Sequence, residues 1–180
     1  MKIIAFTGMP CSGKTEAVEV AKTLGLPVIR MGDMVWEEVK KQGLELNDEN
    51  VGSIADSMRK KQGKNIWAKI TIEKIISQKI KNKIIVDGIR NIEEVDLFKK
   101  KLCNNFILIA ITSSDELRKK RSLSRQRKDD SNDIKKIEER DKREIRWGIK
   151  DLISTADIII PNEHSINDFH REVKKVLEKM

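Results

Sequence analysis

The sequence predicts an α/β fold in which helices cover both faces of a parallel, doubly wound sheet. Apolar runs that are rich in isoleucine and bounded by Gly, Asn, Asp or Pro indicate five strands, at residues 2–6, 27–31, 83–87, 106–112 and 156–160. Each run reads as buried on both faces, which is typical of parallel strands. Helical patterns lie between the runs, and this alternation favours a parallel sheet.

The last helical pattern is the clearest. Its apolar residues recur on one stripe of a helix, at Ile166, Phe169, Val173, Val176, Leu177 and Met180. The chain of 180 residues is long enough for one well-buried core and too short for two generous ones. We therefore expect a single domain over residues 1–180.

Two stretches interrupt the alternation of strands and helices. Residues 33–81 are helical in pattern, with an interruption near 43–50, where GLELNDEN supplies turn and cap residues. Residues 118–128 carry seven basic side chains, and a charged helix is expected after them, from about 134 to 147. We interpret these stretches as two insertions into one domain, at about 33–81 and 118–147.

Charge and composition limit the classes of partner. The 37 Lys and Arg residues exceed the 29 Asp and Glu residues, and the net charge of +8 favours an anionic partner. Aromatic residues make up only 4% of the chain and Tyr is absent, so surfaces for base stacking are scarce. Cys11 and Cys103 show no metal-binding or disulfide spacing, which favours a reducing, cytoplasmic setting.

The apolar runs are short compared with membrane and signal segments. No run approaches the roughly 18 apolar residues that a membrane helix requires. The first run is about five residues long, whereas the apolar part of a signal peptide needs roughly seven or more. We therefore expect a soluble protein without a membrane partner.

Residues 8–15 read GMPCSGKT and match the phosphate-binding pattern G-x-x-x-x-G-K-[ST]. A predicted strand precedes them and a helix follows, so backbone N–H groups and the positive end of a helix dipole point at one place. We expect ATP or GTP there, with Lys14 at the β- and γ-phosphates and the Thr15 hydroxyl on Mg²⁺. The alternative is an ordinary glycine turn before a helix. The expected nucleotide-binding residues are Gly8, Met9, Pro10, Cys11, Ser12, Gly13, Lys14 and Thr15.

Asp87 ends the third predicted strand and is followed by Gly88. Ligands of open α/β sheets bind at the carboxyl ends of the strands, where this carboxylate should emerge. An acid there can hold Mg²⁺ through water. Alternatively, Asp87 caps a helix that starts near Asn91, and both roles could coexist.

The motifs together resemble the P-loop nucleoside and nucleotide kinases. GMPCSGKT is similar to the phosphate loop of adenylate kinases, MGDMVWEEV to their acceptor segment, VDGIRN to their Asp-Gly-x-x-Arg segment and RKDD to their lid. The tail ADIIIPNEHSINDF looks more like dephospho-CoA kinases, in which a similar stretch lies near the adenine, and this similarity implies that Asn162 binds nucleotide. The resemblance spans nearly the whole chain and is closest to the archaeal adenylate-kinase-related proteins.

This resemblance implies a three-layer P-loop fold with the strand order 2-3-1-4-5, a helical acceptor-side insertion and a small lid. The lid would place Arg121, Arg125 and Arg127 around the migrating phosphoryl group, with Arg140 or Arg143 approaching from the following helix. Arginine suits this role because its planar guanidinium binds two phosphate oxygens at once. The alternative for each arginine is a solvated basic helix face.

Three departures from the kinase pattern concern the loop and the acceptor site. Cys11 stands where the kinase loop usually carries Gly, which indicates either altered loop geometry or a tolerated small side chain. Trp36 occupies about the place of an arginine that grips the monophosphate in adenylate kinases, and the spacing from Asp87 to Arg90 is one residue shorter than usual. Arg90 is the better candidate for an acceptor phosphate, Arg59 is a weaker one, and Arg30 could be a structural charge.

The leading functional hypothesis is a kinase that transfers the γ-phosphoryl group of ATP to a small nucleotide acceptor, AMP-like or dephospho-CoA-like. A phosphate acceptor needs no general base, whereas a hydroxyl acceptor needs one, and Asp33 on the acceptor side could take that proton. Asp33 could equally be the N-cap of the helix MVWEEVKK. The alternative hypothesis is a nucleotide-dependent RNA-binding or assembly factor with slow ATP hydrolysis, and either protein could be a monomer or a homodimer.

Overall fold

The computed structural model describes residues 1–80, 82–102, 105–124 and 134–180. Within these ranges, five parallel strands form one sheet in the order β2-β3-β1-β4-β5, which confirms the predicted fold class and order. The strands are β1 (Lys2–Thr7), β2 (Val28–Arg30), β3 (Lys83–Asp87), β4 (Asn105–Thr112) and β5 (Ile158–Pro161).

Helices pack on both faces of the sheet because the central strands are apolar on both faces. Ile3 and Ala5 of β1 belong to one core cluster, Ile4 and Phe6 belong to the other, and none of the four is exposed. Side chains alternate across a strand, so a continuous apolar run supplies both cores. The edge strand β5 departs from this expectation, because Ile159 is 55% exposed and, among the described strands, β5 pairs with β4 alone.

The connection between β2 and β3 contains three helices in the described residues, α2 (Met31–Lys41), α3 (Asp48–Gln62) and α4 (Ile66–Ser77). The predicted interruption near 43–50 is confirmed, and Asn47 caps α3 by accepting a hydrogen bond from the Asn50 N–H at 2.9 Å. A second interruption, at residues 63–65, was not predicted. It follows from Gly63, whose φ of 98° ends α3.

The remaining helices complete the two outer layers. They are α1 (Lys14–Thr23), α5 (Ile92–Leu102), α6 (Asp115–Ser124), α7 (Ile134–Arg146), α8 (Ile149–Ser154) and α9 (Ile166–Glu178). The cluster that contains Ile4 packs against α1 and α9, whereas the cluster that contains Ile3 packs against α2 to α5 and α8. The charged helix expected after the basic run is α7, and the short helix α8 was not predicted. No helix of the described residues is long and apolar enough to cross a membrane.

Candidate functional site

The loop between β1 and α1 requires glycine at both ends. Gly8 has a φ of 144°, and a β-carbon there would overlap the Ile111 carbonyl oxygen on the neighbouring strand. Gly13 has a φ of 117°, and a β-carbon there would overlap the side-chain amide of Asn162. Because both positions lie in the region that favours glycine and face other chain segments closely, the two glycines allow the backbone to turn directly into α1.

Lys14 is the first residue of α1, and its side chain folds back over the loop. Its Nζ donates hydrogen bonds to the carbonyl oxygens of Gly8 at 2.6 Å and Met9 at 2.9 Å. Burial of the ammonium, with the positive charge of Arg90 nearby, lowers the pKa of Lys14 to about 7, although Asp87 raises it in part. An anion bound above the loop would raise the pKa of Lys14 again and favour its charged form.

Cys11 adopts the backbone conformation that explains why glycine is usual at this position. Its φ is 59°, in the left-handed region, so the turn keeps a glycine-like backbone conformation although cysteine stands in place of glycine. A β-carbon makes that conformation unfavourable by about 1–2 kcal/mol. The thiol is partly buried and lines the cavity described next.

A cavity of about 600 Å³ opens at the carboxyl ends of the strands, where the phosphate loop also lies. One wall is the loop and the start of α1, and the other walls come from the two insertions. The site residues predicted from the sequence that line it are Pro10, Cys11, Gly13, Lys14, Thr15, Asp33, Arg59, Asp87, Arg90, Arg121 and Asn162. The fold thus brings together residues that are up to 152 positions apart in the chain.

Asp87 offers a buried carboxylate oxygen to this cavity. The residue is 9% exposed, its Oδ2 lies 3.7 Å from Nε of Arg30, and its Oδ1 has no hydrogen-bond partner among the described residues. The alternative that Asp87 caps a helix is wrong, because Asn91 fills that place and accepts a hydrogen bond from the Glu94 N–H at 2.9 Å. An unpartnered buried carboxylate oxygen, in a residue that lines the same cavity as Thr15, fits a hard divalent cation.

Asp33 lies on the acceptor side of the cavity, in the first turn of α2. The alternative that it is an N-cap is wrong, because α2 begins at Met31 and the extended residue before it is Arg30. Burial raises the pKa of the Asp33 carboxyl, and the charge of Arg30 offsets part of that rise. Asp33 is thus a carboxylate with increased affinity for a proton, facing the cavity.

The two arginines predicted for an acceptor phosphate are both paired with acids. Arg59 is 8% exposed and donates to Glu94 at 3.0 Å, and its guanidinium lies 4.3 Å from the centre of the Trp147 ring. Arg90 forms a close ion pair with Glu144. Burial raises the pKa of Glu94, which also accepts a hydrogen bond from the Arg90 N–H at 2.7 Å. The sequence analysis did not predict these acidic partners, and the binding of an acceptor phosphate by Arg59 or Arg90 stays a prediction.

Arg121 contacts the nucleotide side of the cavity through Asn162. It donates to the Asn162 carbonyl oxygen and to Ser113 Oγ, both at 3.0 Å. The Asn162 side chain in turn donates to the Ser12 carbonyl oxygen at 2.9 Å, which connects the end of β5 to the phosphate loop. Arg125 and Arg127 lie outside the described residues. Arg143 of the following helix is bound to Asp48 at 2.8 Å, and Arg140 lies 3.5 Å from the same acid.

Arg118 is a residue of this region that sequence reasoning missed. It was counted within the basic run, yet it is only 4% exposed and donates to the Pro10 carbonyl oxygen at 3.0 Å. The acid three residues before it, Asp115, was a local sign of pairing. No local sign indicated the contact with Pro10, which lies 108 positions away.

Comparison with known proteins identifies the family of the chain. A family model for the AAA domain matches residues 7–138. The chain is 42% identical to a UPF0200 protein of Methanosarcina mazei over 177 residues, which cover 98% of this chain and 94% of the relative. It is 45% identical to a UPF0200/UPF0201 protein of Archaeoglobus fulgidus, but all of this chain spans only 56% of that relative.

Two solved structures show the same fold. A gluconokinase from Sinorhizobium meliloti superposes with a TM-score of 0.64 at 14% identity, covering 99% of this chain and 92% of that one. A shikimate kinase from Aquifex aeolicus superposes with a TM-score of 0.55 at 18% identity, covering 98% and 96%. The predicted resemblance to P-loop kinases is confirmed. The chain therefore belongs to the UPF0200 family and has the fold of the P-loop kinases.

Proposed function

We propose that this protein is a kinase that transfers the γ-phosphoryl group of ATP to a small nucleotide acceptor. The observation that carries the proposal is that the phosphate loop, with Lys14, opens into the same cavity as the strand-end acid Asp87 and the acceptor-side acid Asp33. A donor and an acceptor bound in one cavity can meet in line, and exclusion of water by the bound substrates would then favour transfer over hydrolysis.

On the donor side, the loop N–H groups and the amino end of α1 would bind the phosphates, with the Lys14 ammonium following the transferred charge. Thr15 and Asp87 would hold Mg²⁺, which when bound neutralises charge on the phosphate oxygens. Asn162, which contacts the loop at Ser12, would border the nucleoside end of the cavity.

On the acceptor side, the charges favour a hydroxyl acceptor on a nucleotide of the dephospho-CoA-like kind. Arg59 and Arg90 each form an ion pair with a buried glutamate, so these two arginines offer less positive charge to an attacking phosphate than unpaired arginines would. Asp33 would act as the general base, because burial raises its proton affinity and its carboxylate lies at the cavity. Arg90 would still border the acceptor through its remaining N–H groups.

A panel of acceptors tests the proposal. ADP production from Mg-ATP is measured with AMP, the other nucleoside monophosphates and dephospho-CoA, and the product is identified by mass spectrometry. We expect transfer to a hydroxyl group, abolished in Asp33→Asn and retained in Asp96→Asn, whose exposed side chain on α5 does not line the cavity. Transfer to the phosphate of AMP, with Asp33→Asn active, would show an adenylate-kinase type of reaction instead.

The affinity for Mg-ATP should fall as the pH rises above 7. Free Lys14, with its pKa near 7, is mostly neutral above that pH, whereas bound phosphates favour its charged form and raise its pKa. Binding then takes up a proton, and the affinity drops by up to about tenfold per pH unit between the free and bound pKa values. Calorimetry in buffers of different ionisation enthalpy measures that proton. Lys14→Arg stays charged across this range and should show a flat profile.

Cys11 should be protected from alkylation by nucleotide. Its thiol lines the cavity beside the phosphate loop, so a group attached to its sulfur would occupy the phosphate position. We expect an alkylating reagent to modify Cys11 in the free protein, to react more slowly in the presence of Mg-ATP, and to block ATP binding. Mass spectrometry of the labelled peptide measures both rates. Equal labelling with and without Mg-ATP would contradict the placement of Cys11 at the phosphate position. Cys103, the other cysteine of the chain, lies outside the described residues.

The alternative of an RNA-binding factor rests on the net charge of +8. In the described part of the basic run, Arg118 is buried, Arg121 is bound to Asn162, and Lys119 pairs with Glu138 at 2.8 Å. These contacts use the basic groups within the fold and favour the kinase. A salt-dependent RNA shift assay with the wild-type protein decides between the two, because a polyanion site loses affinity steeply as salt increases.

A further inference from the structure

The phosphate loop contains a tight turn whose central peptide must have one particular orientation. The Ser12 N–H donates to the Met9 carbonyl oxygen at 3.2 Å, so Met9 to Ser12 form a four-residue turn with Pro10 and Cys11 in its centre. Pro10 suits the second position, and the φ of 59° at Cys11 matches the positive φ at the third position of a type II turn. Type I and type II turns differ by a flip of the peptide that joins these two residues.

The sequence by itself does not favour the type II orientation of the Pro10–Cys11 peptide. A type II turn places glycine at its third position because a β-carbon there is unfavourable. Cys11 has a β-carbon, so the loop needs an interaction from elsewhere to keep the Pro10 carbonyl and the Cys11 N–H in this orientation. In the type I orientation, the Pro10 carbonyl and the Cys11 N–H would each point in the opposite direction.

Arg118 makes that interaction. Its NH1 donates to the Pro10 carbonyl oxygen at 3.0 Å, in a position where the arginine is 4% exposed. The same guanidinium binds both carboxylate oxygens of Asp141 on α7, at 3.1 Å and 2.7 Å, and Asp115 on its own helix at 2.7 Å. A charged donor in a buried site holds a carbonyl more strongly than a neutral one does.

We propose that Arg118 is a positioning residue that holds the Pro10–Cys11 peptide in its type II orientation and, through Asp141, ties α7 to the phosphate loop. Two contacts define the role: one guanidinium contacts both the loop carbonyl and α7. Helix α7 also carries Arg140 and Glu144, which line the cavity. Arg118 thereby couples the geometry of the phosphate loop to that of the second insertion. The inference rests on the proposed binding of ATP phosphates by this loop.

Three single variants separate loop positioning from general loss of charge. Arg118→Met keeps much of the side-chain volume and removes all three contacts. Asp141→Asn removes only the negative charge of the α7 side chain that binds Arg118. Asp115→Asn is the matched control, because Asp115 binds the same guanidinium but its side chain is 82% exposed and, among the described residues, forms no hydrogen bond to the loop or to α7.

Binding of Mg-ATP is measured by calorimetry. We expect Arg118→Met to weaken it about tenfold or more, since a hydrogen bond from a charged group is lost. Asp141→Asn should show a smaller loss in the same direction, and Asp115→Asn should stay within about twofold of wild type. Cys11→Gly accepts the positive φ without strain, so Arg118→Met should cost clearly less affinity in the Cys11→Gly background than in wild type.

A second readout needs no nucleotide. Amide hydrogen exchange in peptides that cover residues 8–15 should be faster in Arg118→Met than in Asp115→Asn, because the loop is released from its anchor. If wild type binds no ATP, the proposed function fails, and the exchange data still test the inference. The inference would be overturned if Arg118→Met had the ATP affinity and the amide exchange of wild type. It would also be overturned if Asp115→Asn lost as much ATP affinity as Arg118→Met. If Arg118→Met does not fold, Asp141→Asn against Asp115→Asn decides.

Discussion

Replacement of Lys14 with alanine should lower the rate of phosphoryl transfer by on the order of a thousandfold. The Lys14 ammonium is held over the loop by two carbonyl oxygens and would follow the phosphoryl group as charge moves toward the leaving oxygen. The folded protein should remain stable, because burial lowers the pKa of Lys14 and the free protein gains little from this charge. Turnover of Mg-ATP with the acceptor found in the panel measures the effect, and thermal unfolding without nucleotide checks the fold.

The matched control is Lys22→Ala on the same helix. Lys22 lies in the last turn of α1, its side chain is 49% exposed, and among the described residues it forms an ion pair only with Glu19, at 2.8 Å. Its loss should leave the turnover within about twofold of wild type. If Lys14→Ala turned over Mg-ATP as fast as this control, the assignment of the loop as the phosphate site would be wrong.

Asp87→Asn should lower kcat by about a hundredfold to a thousandfold and raise the Mg²⁺ concentration needed for half-maximal rate. The substitution keeps the shape of the side chain but removes the charge of the buried carboxylate, whose Oδ1 lacks a hydrogen-bond partner among the described residues. The loss of Asp87 also lowers the rate in a second way. Asp87 raises the pKa of Lys14, so its loss leaves less of the Lys14 ammonium charged near pH 7.

The control for this variant is Asp96→Asn, on the exposed side of α5. It removes the same charge from the protein surface and should leave the Mg²⁺ dependence unchanged. The rate of Asp87→Asn is measured over a series of Mg²⁺ concentrations at fixed ATP. An unchanged rate and an unchanged Mg²⁺ requirement would show that Asp87 does not serve the cation, and the pair with Arg30 would then be its role.

The fold was predictable because its signals are local and repeat along the chain. The apolar runs of the central strands are uninterrupted, and in β1 this places Ile3 and Ile4 in opposite cores. The glycine pattern between a strand and a helix predicted the loop, and the place of Asp87 at a strand end predicted its position at the cavity. Each of these inferences depends on residues within one element or on its immediate ends.

The pairing of the charged residues was not predictable by the same means. Nothing local in the sequence separates the roles of Arg59 on a helix, Arg90 after a strand end and Arg118 at the start of the basic run. Their partners Glu94, Glu144 and Pro10 lie 35, 54 and 108 positions away, and helix packing brings them together. A buried charge without a partner is strongly unfavourable, so each of these arginines is paired. The packing of the chain decides which group each arginine pairs with.

The sequence alone determined the parallel sheet, its strand order through the family resemblance, and the loop that carries Lys14 and Thr15. The parallel sheet and the loop follow from hydrophobic period and glycine placement, which act over a few residues, whereas the strand order was implied only by the resemblance. Only the tertiary structure decided that Asp33 is not a cap, that Arg59 and Arg90 each form an ion pair with a buried glutamate, and that Arg118 holds the loop at Pro10. The physical reason is that side-chain electrostatics depend on burial and on distances between elements, and neither is encoded in the pattern of one segment.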